Sequence, residues 1–95
     1  MKIRYDTDAQ ALYVDFSANG ERVARTVEVD EGTLVDLDRF GFVIGIEVIK
    51  PDREWPMHRI FAEFKFRPED EATLKALWVR GDTRLPFTQP GVRAG

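Results

Sequence analysis

Acidic side chains are the most numerous groups in this sequence that are able to do chemistry. The acids that are candidates for a metal-binding or catalytic site lie in or beside strand-like segments of the first half: Asp6, Asp8, Asp15, Glu28, Asp36, Asp38 and Glu47. Clustered carboxylates bind metal ions or act as general acids and bases. These acids, however, either stand at strand ends, where Asp side chains accept hydrogen bonds from turn N–H groups, or project outward from different strands. We therefore expect solvated or turn-forming acids, with no catalytic residue, no metal site and no cofactor.

The sequence contains one histidine, His58, and no cysteine. Without cysteine there is no disulfide, no thiolate nucleophile and no sulfur-ligated zinc site. A Ser-His-Asp triad would have to use His58, yet Ser17 stands beside a turn rather than in the strand-to-helix elbow of a nucleophilic serine. We expect His58 to be a surface or partly packed side chain of a short helix.

Charge and hydropathy limit the partners of this 95-residue chain. Its formal net charge is −3, with ten acids and six bases in residues 1–50 and seven acids and eight bases in residues 51–95. Nucleic-acid binding normally depends on clustered Lys and Arg, and no apolar run approaches the roughly 20 residues of a membrane helix. The N-terminus also lacks the apolar centre of a signal peptide. We expect a cytoplasmic protein that binds neither nucleic acid nor membrane.

Alternating apolar and polar residues are typical of strands with one buried face. They occupy five segments of the first half: residues 2–5, 11–16, 22–29, 33–37 and 42–49. The dipeptide Asn19-Gly20 favours a two-residue hairpin turn between the second and third segments, and Gly32 favours a three-residue loop after the third. Because every connection is short, the pattern predicts a β-meander in which each strand pairs with the next.

The turns also predict which residues lie opposite each other. The predicted cross-strand pairs are Tyr5–Leu12, Phe16–Val23, Val29–Thr33 and Leu37–Phe42. Two rows of the inner face follow from these pairs: Tyr5, Leu12, Val27, Val35 and Ile44, and beside them Ile3, Val14, Arg25, Leu37 and Phe42. A slip of one residue would turn every side chain to the other face. The predominance of apolar residues in both rows therefore supports the predicted pairing.

The second half of the chain provides helices to cover the sheet. Pro68 at a first helical position, three acids after it, Arg80 in the last turn and Gly81 beyond it predict a helix that ends before Gly81. Residues 56–66 fit either a helix or a strand, and Pro56 favours the helix.

The predicted fold is α+β, with two short C-terminal helices packed on one face of a five-stranded antiparallel β-meander. The pattern assigns residues 1–81 to this single domain and residues 82–95, which have no periodicity, to a flexible tail.

Arg25 is the one charged residue in the predicted inner rows, between Val14 and Leu37. A buried charge without a partner is costly. Arg25 therefore either extends past the helices to pair with an acid such as Glu54, or lines a small anion-binding cleft between sheet and helices.

The opposite face of the predicted sheet is mixed in polarity. It carries a partly apolar strip edged by charges, and such a face often completes its burial against another molecule. Aromatic residues and arginine are common interface anchors. The interface residues predicted on this face are Arg4, Tyr13, Leu34 and Val43.

Several segments together resemble a small bacterial family, domain of unknown function 2283. They are Lys2-Ile3-Arg4-Tyr5-Asp6, Ala11-Leu12-Tyr13-Val14, residues 25–32, residues 34–38 and Gly45-Ile46-Glu47-Val48. The resemblance covers residues 1–50, and the helices look like an extension carried by longer members. It implies a β-rich fold and, by analogy, an antitoxin-like accessory role.

We expect from these observations a noncatalytic protein–protein interaction or self-assembly module that binds a protein partner or forms a homo-oligomer. The alternative is an anion-binding or small-molecule-binding protein, or a minor hydrolase, that uses Arg25 and nearby carboxylates.

Overall fold

The structure is a computed structural model that describes residues 1–17 and 19–77. Its elements are β1 (Lys2–Asp6), β2 (Ala11–Asp15), β3 (Arg25–Asp30), β4 (Thr33–Leu37), β5 (Val43–Ile49), α1 (Met57–Glu63) and α2 (Pro68–Leu77). The predicted α+β class, with five antiparallel strands and two short helices, is confirmed.

The order of strands across the sheet is β1-β2-β5-β4-β3. The predicted pairing of β2 with β3, and with it the Phe16–Val23 pair, is therefore wrong. β5 lies between β2 and β4 instead, which makes a Greek-key arrangement rather than a meander. The composition of the strands explains this order, because β5 is almost entirely apolar and suits the centre, whereas β3 carries Arg25, Thr26 and Glu28 and suits an edge.

The two outer pairs of strands have the predicted register over most of their length. Tyr5 lies opposite Leu12 in the β1–β2 pair, and Thr26 lies opposite Asp36 in the β3–β4 pair. The last pair of β3 and β4 differs, because an irregularity after Glu28 sets Asp30, and not Val29, opposite Thr33. The loop is thus one residue shorter than predicted, although Gly32 has the expected positive φ of 96°.

The register between β4 and β5 differs from the prediction. Leu37 lies opposite Val43 rather than Phe42, and after an irregularity Asp36 lies opposite Gly45. The turn before β5 accounts for part of this shift, because the Asp38 carboxylate accepts hydrogen bonds from the N–H groups of both Phe40 and Phe42. Phe42 is therefore held in the turn and the strand begins one residue later.

The core lies between one face of the sheet, called here the inner face, and the two helices. Fully buried residues of the strands and helices form one apolar cluster that includes Val14, Val35, Val43, Ile46, Val48, Ile60 and Leu74. Residues 57–63 are helical, as Pro56 favours, and Lys65 then forms a parallel bridge with Phe42. The helical alternative for residues 56–66 is therefore the one observed over most of the segment, and the strand alternative has no counterpart beyond this isolated bridge.

Helix α2 begins at Pro68, and three acids occupy its first turn. Their negative charges stabilise the helix by interacting with the positive end of its dipole. Its described part ends at Leu77. The predicted helix end at Arg80 and Gly81 and the predicted tail of residues 82–95 lie outside the described residues. Neither described helix is long and apolar enough to cross a membrane.

Strand β1 is exposed along its whole length. Ile3 and Tyr5 were predicted in the buried rows, yet they are 38% and 53% exposed. Their assignment to the inner face is correct, because their partners on β2, Val14 and Leu12, are buried in the core. The prediction of burial is wrong because β1 is an edge strand, and the apolar residues of the described core that cover β2 do not extend over it.

Candidate functional site

The other side of the sheet, called here the outer face, carries a chain of hydrogen bonds that joins side chains of β2, β4 and β3. The Tyr13 hydroxyl on β2 donates to Oδ2 of Asp36 on β4, at 2.7 Å. Oδ1 of Asp36 accepts a second hydrogen bond from the Thr26 hydroxyl on β3, at 2.6 Å. Both carboxylate oxygens of Asp36 therefore have protein donors, as expected for a structural acid.

Tyr13 reaches Asp36 because the strand between them carries Gly45. A Cβ atom at Gly45 would collide with the hydroxyl and ring of Tyr13. The absence of a side chain thus leaves the space through which the ring passes across β5. Tyr13 is half-buried as a result and has a fixed position.

Arg4 and Asp15 extend this polar network toward the β1 edge. The Arg4 guanidinium lies 5.1 Å from the centre of the Tyr13 ring, and its Nη2 lies 3.6 Å from Oδ2 of Asp15. Asp15 also accepts hydrogen bonds from the hydroxyl and the backbone N–H of Ser17. Arg4 thus presents a charged, 64% exposed side chain from a partly anchored position.

The electrostatics of the network favour fixed protonation states near neutral pH. Burial, followed by the hydrogen bond and the negative charge of Asp36, raises the pKa of Tyr13 well above its usual value. The hydrogen bond from the Ser17 hydroxyl lowers the pKa of Asp15, against the opposing effect of burial. At pH 7 Tyr13 therefore stays a hydrogen-bond donor and Asp15 stays a charged acceptor, which keeps the polar network in one arrangement.

An open depression of about 570 Å³ lies on the outer face beside this network. Arg4, Tyr13 and Glu47 line it together with the end of β1 and the first residue of β2. The depression therefore joins the polar network to the exposed strand edge.

The predicted interface residues do not all lie together. Arg4 and Tyr13 are opposite each other on the outer face, and Leu34 is half-buried there between Glu28 and Glu47. Val43 is fully buried in the core, so its prediction as an interface residue is wrong. The shifted register puts Gly45, not Val43, beside Asp36 on the outer face.

Arg25 is exposed on β3, at the opposite edge of the sheet from β1. Its predicted partner Leu37 is correct, but Val14 is not beside it, because β4 and β5 separate β3 from β2. The expectation that Arg25 is a charge buried under the helices is therefore wrong. Among the described residues no carboxylate forms an ion pair with Arg25.

Arg67, which the sequence pattern did not single out, forms the most buried ion pair of the described residues. Its Nη2 donates to Oδ2 of Asp38 at 2.8 Å, and its Nη1 lies 3.5 Å from Glu21. Burial disfavours the ionised Asp38 carboxyl, but the N–H groups of Phe42 and Phe40 and the charge of Arg67 outweigh it and lower the pKa. No sequence signal identifies Arg67, because the contact depends on how the segment after α1 meets the turn before β5.

His58 is exposed on α1. In the part of the chain that the structure describes, no group of three His, Cys, Asp or Glu side chains is arranged to hold a metal ion.

Comparison with known proteins gives one match. The model of a family described as "Protein of unknown function (DUF2283)" matches residues 2–50, which include all five strands. No curated protein and no solved structure matches the chain.

Proposed function

Because the chain belongs to the family Protein of unknown function (DUF2283), whose description assigns no activity, we propose a function from its own surface: a noncatalytic protein–protein interaction module that binds a strand of another chain along β1. The observation that carries this proposal is the exposure of Ile3 and Tyr5 on β1, an edge strand that no other strand of residues 1–17 and 19–77 covers. Open edges offer unpaired backbone groups to a partner strand, and proteins commonly use them for β-augmentation.

The two edges of the sheet differ in a way that supports β1. β3 has an irregular register after Glu28, and its Val29 carbonyl already accepts a hydrogen bond from Arg59 at 2.6 Å. Irregular and covered edges resist further pairing. β1 is regular over all five residues, and every one of them is exposed.

The outer-face network supplies side chains that would make such binding specific. Arg4 and Tyr13 are of the residue types that dominate the binding energy of interfaces. Tyr13 is held in place by Asp36, so little side-chain entropy would be lost on binding. Glu47 adds an acid on the far side of the depression. The antitoxin-like accessory role implied by the family resemblance is one form of this function.

The alternative of an anion-binding protein or minor hydrolase centred on Arg25 has weaker support. It depended on a charge enclosed between sheet and helices, and Arg25 is exposed on the far edge.

Photo-crosslinking in the cells that produce the protein tests the proposal. A photoreactive phenylalanine analogue at position 5 should form a covalent adduct with a bound chain, and mass spectrometry of the adduct identifies that chain. The matched control is the same analogue at Val23, which is 49% exposed near the opposite edge. An equal yield of adducts at both positions, or no adduct at position 5, would contradict the proposed function.

A further inference from the structure

The hydrogen bonds around β2 reveal which backbone groups of the sheet are free. The Phe16 N–H donates to the Ile44 carbonyl, and the Lys50 N–H donates to the Gln10 carbonyl. Phe16 and Gln10 are even-numbered residues that flank β2, and both bonds connect them to β5 or to the residue that follows it. Because backbone groups point alternately to the two sides of a strand, the odd-numbered positions of β2, Tyr13 among them, direct theirs toward β1.

The same alternation applies to β1. Arg4 lies opposite Tyr13 and so directs its N–H and carbonyl toward β2. Its neighbours Ile3 and Tyr5 must direct theirs the other way, to the edge that the described part of the sheet leaves open. The backbone groups available to a partner are thus those of the two residues that also expose apolar side chains on the inner face.

The sequence of β1 is complementary to itself when two copies run antiparallel with Arg4 at the centre. In that register Lys2 faces Asp6 of the other copy, and Ile3 faces Tyr5. The charged pair lies on the outer face and the apolar pair on the inner face, because residues directly opposite share a face. The free backbone groups of Ile3 and Tyr5 also meet, as a hydrogen-bonded antiparallel pair requires.

We propose that β1 pairs with β1 of a second copy of this chain in that register, which makes one continuous sheet through both copies. This inference rests on the proposed function and identifies its partner. It would also bring Ile3 and Tyr5 of each copy against those of the other, and so cover apolar surface that is exposed on the single chain.

Other registers of the two β1 strands would leave more backbone groups without a hydrogen bond or place like charges opposite each other. A shift of one residue would set the free backbone groups of one strand against the occupied ones of the other. A shift of two in one direction places Lys2 opposite Arg4, and a shift of two in the other direction runs into the turn that begins at Thr7. Only the register centred on Arg4 pairs all five residues of β1.

The symmetric register places the two Arg4 side chains opposite each other, which is unfavourable for bare like charges. Each Arg4, however, lies against its own Tyr13 ring and within 3.6 Å of its own Asp15. The carboxylate offsets part of the repulsion, and both contacts lie toward β2, away from the symmetry axis.

Single-cysteine variants test the register, because the chain has no cysteine of its own. Residues at a non-hydrogen-bonded pair have Cα atoms about 4.5 Å apart, within the range that a disulfide spans. Arg4→Cys should therefore form a disulfide-linked dimer on mild oxidation. Ile3→Cys alone should not, since its copy lies on the diagonal at about 7–8 Å, whereas an equal mixture of Ile3→Cys and Tyr5→Cys should cross-link. Thr26→Cys on β3 is the control for random collision.

Light scattering on the unmodified chain should give the mass of a dimer. Tyr5→Pro removes an N–H of the free edge without removing a bond within the sheet, so it should give a monomer with unchanged circular dichroism, while Tyr5→Thr should stay dimeric. Self-linking of Ile3→Cys without Arg4→Cys, or a monomeric unmodified chain, would overturn the inference. If the chain is a monomer and position 5 photo-crosslinks to a different protein, the proposed function stands and only the self-pairing is wrong.

Discussion

The ring of Tyr13 lies over Gly45, in the space where any other residue would carry its Cβ. This contact joins β2 to β4 across the central strand, because it lets the Tyr13 hydroxyl reach Asp36. Gly45 is therefore required for the outer-face network, and not for backbone freedom, since its φ is not positive.

Gly45→Ala should destabilise the protein by about 1–3 kcal/mol, the usual cost of forcing an extra carbon into a packed site. Urea unfolding measures the change in the free energy of unfolding. The control is the same substitution in a Tyr13→Ala background, where the space is empty and the cost should largely disappear. Costs that simply add in the double variant would contradict the proposed contact between the two residues.

Tyr13→Phe removes the hydroxyl but keeps the ring, and it should cost about 1 kcal/mol through the lost hydrogen bond to Asp36. An ultraviolet titration of the wild type minus that of the variant isolates the ionisation of Tyr13. It should occur well above the ordinary tyrosine value of about 10. Ionisation of Tyr13 at or below that value would show that Asp36 does not hold its proton.

The raised pKa of Tyr13 predicts how stability changes in alkali. The unfolded chain releases the Tyr13 proton at about pH 10, while the folded chain retains it. The free energy of unfolding should therefore fall as the pH rises above about 10, and fall less in Tyr13→Phe. Urea unfolding at a series of alkaline pH values makes the comparison, and identical slopes would contradict it.

Asp38 predicts a loss of stability in acid. Its pKa is lower in the folded chain than the ordinary value of about 3.9, so its stabilising effect is complete above that pH and is lost progressively below it. Asp38→Asn should make the free energy of unfolding depend less on pH in this acidic range, since it removes the titrating group. Asp38→Ala should cost more at pH 7, because it also leaves the N–H groups of Phe40 and Phe42 without their acceptor.

Val43→Ala distinguishes a core residue from an interface residue. Val43 is fully buried, so the loss of two methylene equivalents should cost about 2 kcal/mol in the free energy of unfolding. The mass in solution should stay the same wherever the variant is folded. Leu34→Ala, at a half-buried position of the outer face, should cost less. A change in mass without a loss of stability would restore Val43 to the interface.

Local sequence patterns correctly predicted the parts of the fold that depend on residues close together in the sequence. The Tyr5–Leu12 and Val27–Val35 pairs, the positive φ of Gly32 and the start of α2 at Pro68 follow from turn chemistry, alternation and capping. The pairing of β2 with β5 does not, because it depends on which strand buries most apolar surface in the centre of the sheet. Asn19-Gly20 indicates a turn, but a turn alone does not make its flanking strands neighbours.

The errors in the candidate site have the same origin. A strand shifted by two residues keeps every side chain on its face, so alternation alone did not reveal that Val35 lies opposite Ile46 rather than Ile44. Arg25 was placed beside Val14 only because β3 was placed beside β2. The exposure of Ile3 and Tyr5 was missed because alternation assigns a residue to a face and not to the extent of the cover on that face.

The position of β5 between β2 and β4 also determines the order in which the protein can assemble. The β1–β2 and β3–β4 hairpins lie early in the chain and form from local contacts, yet neither adjoins the other. The strand that joins them, β5, is the last of the described strands to emerge from the ribosome, so until residue 49 is available the nascent chain holds two half-sheets with apolar faces and no common core.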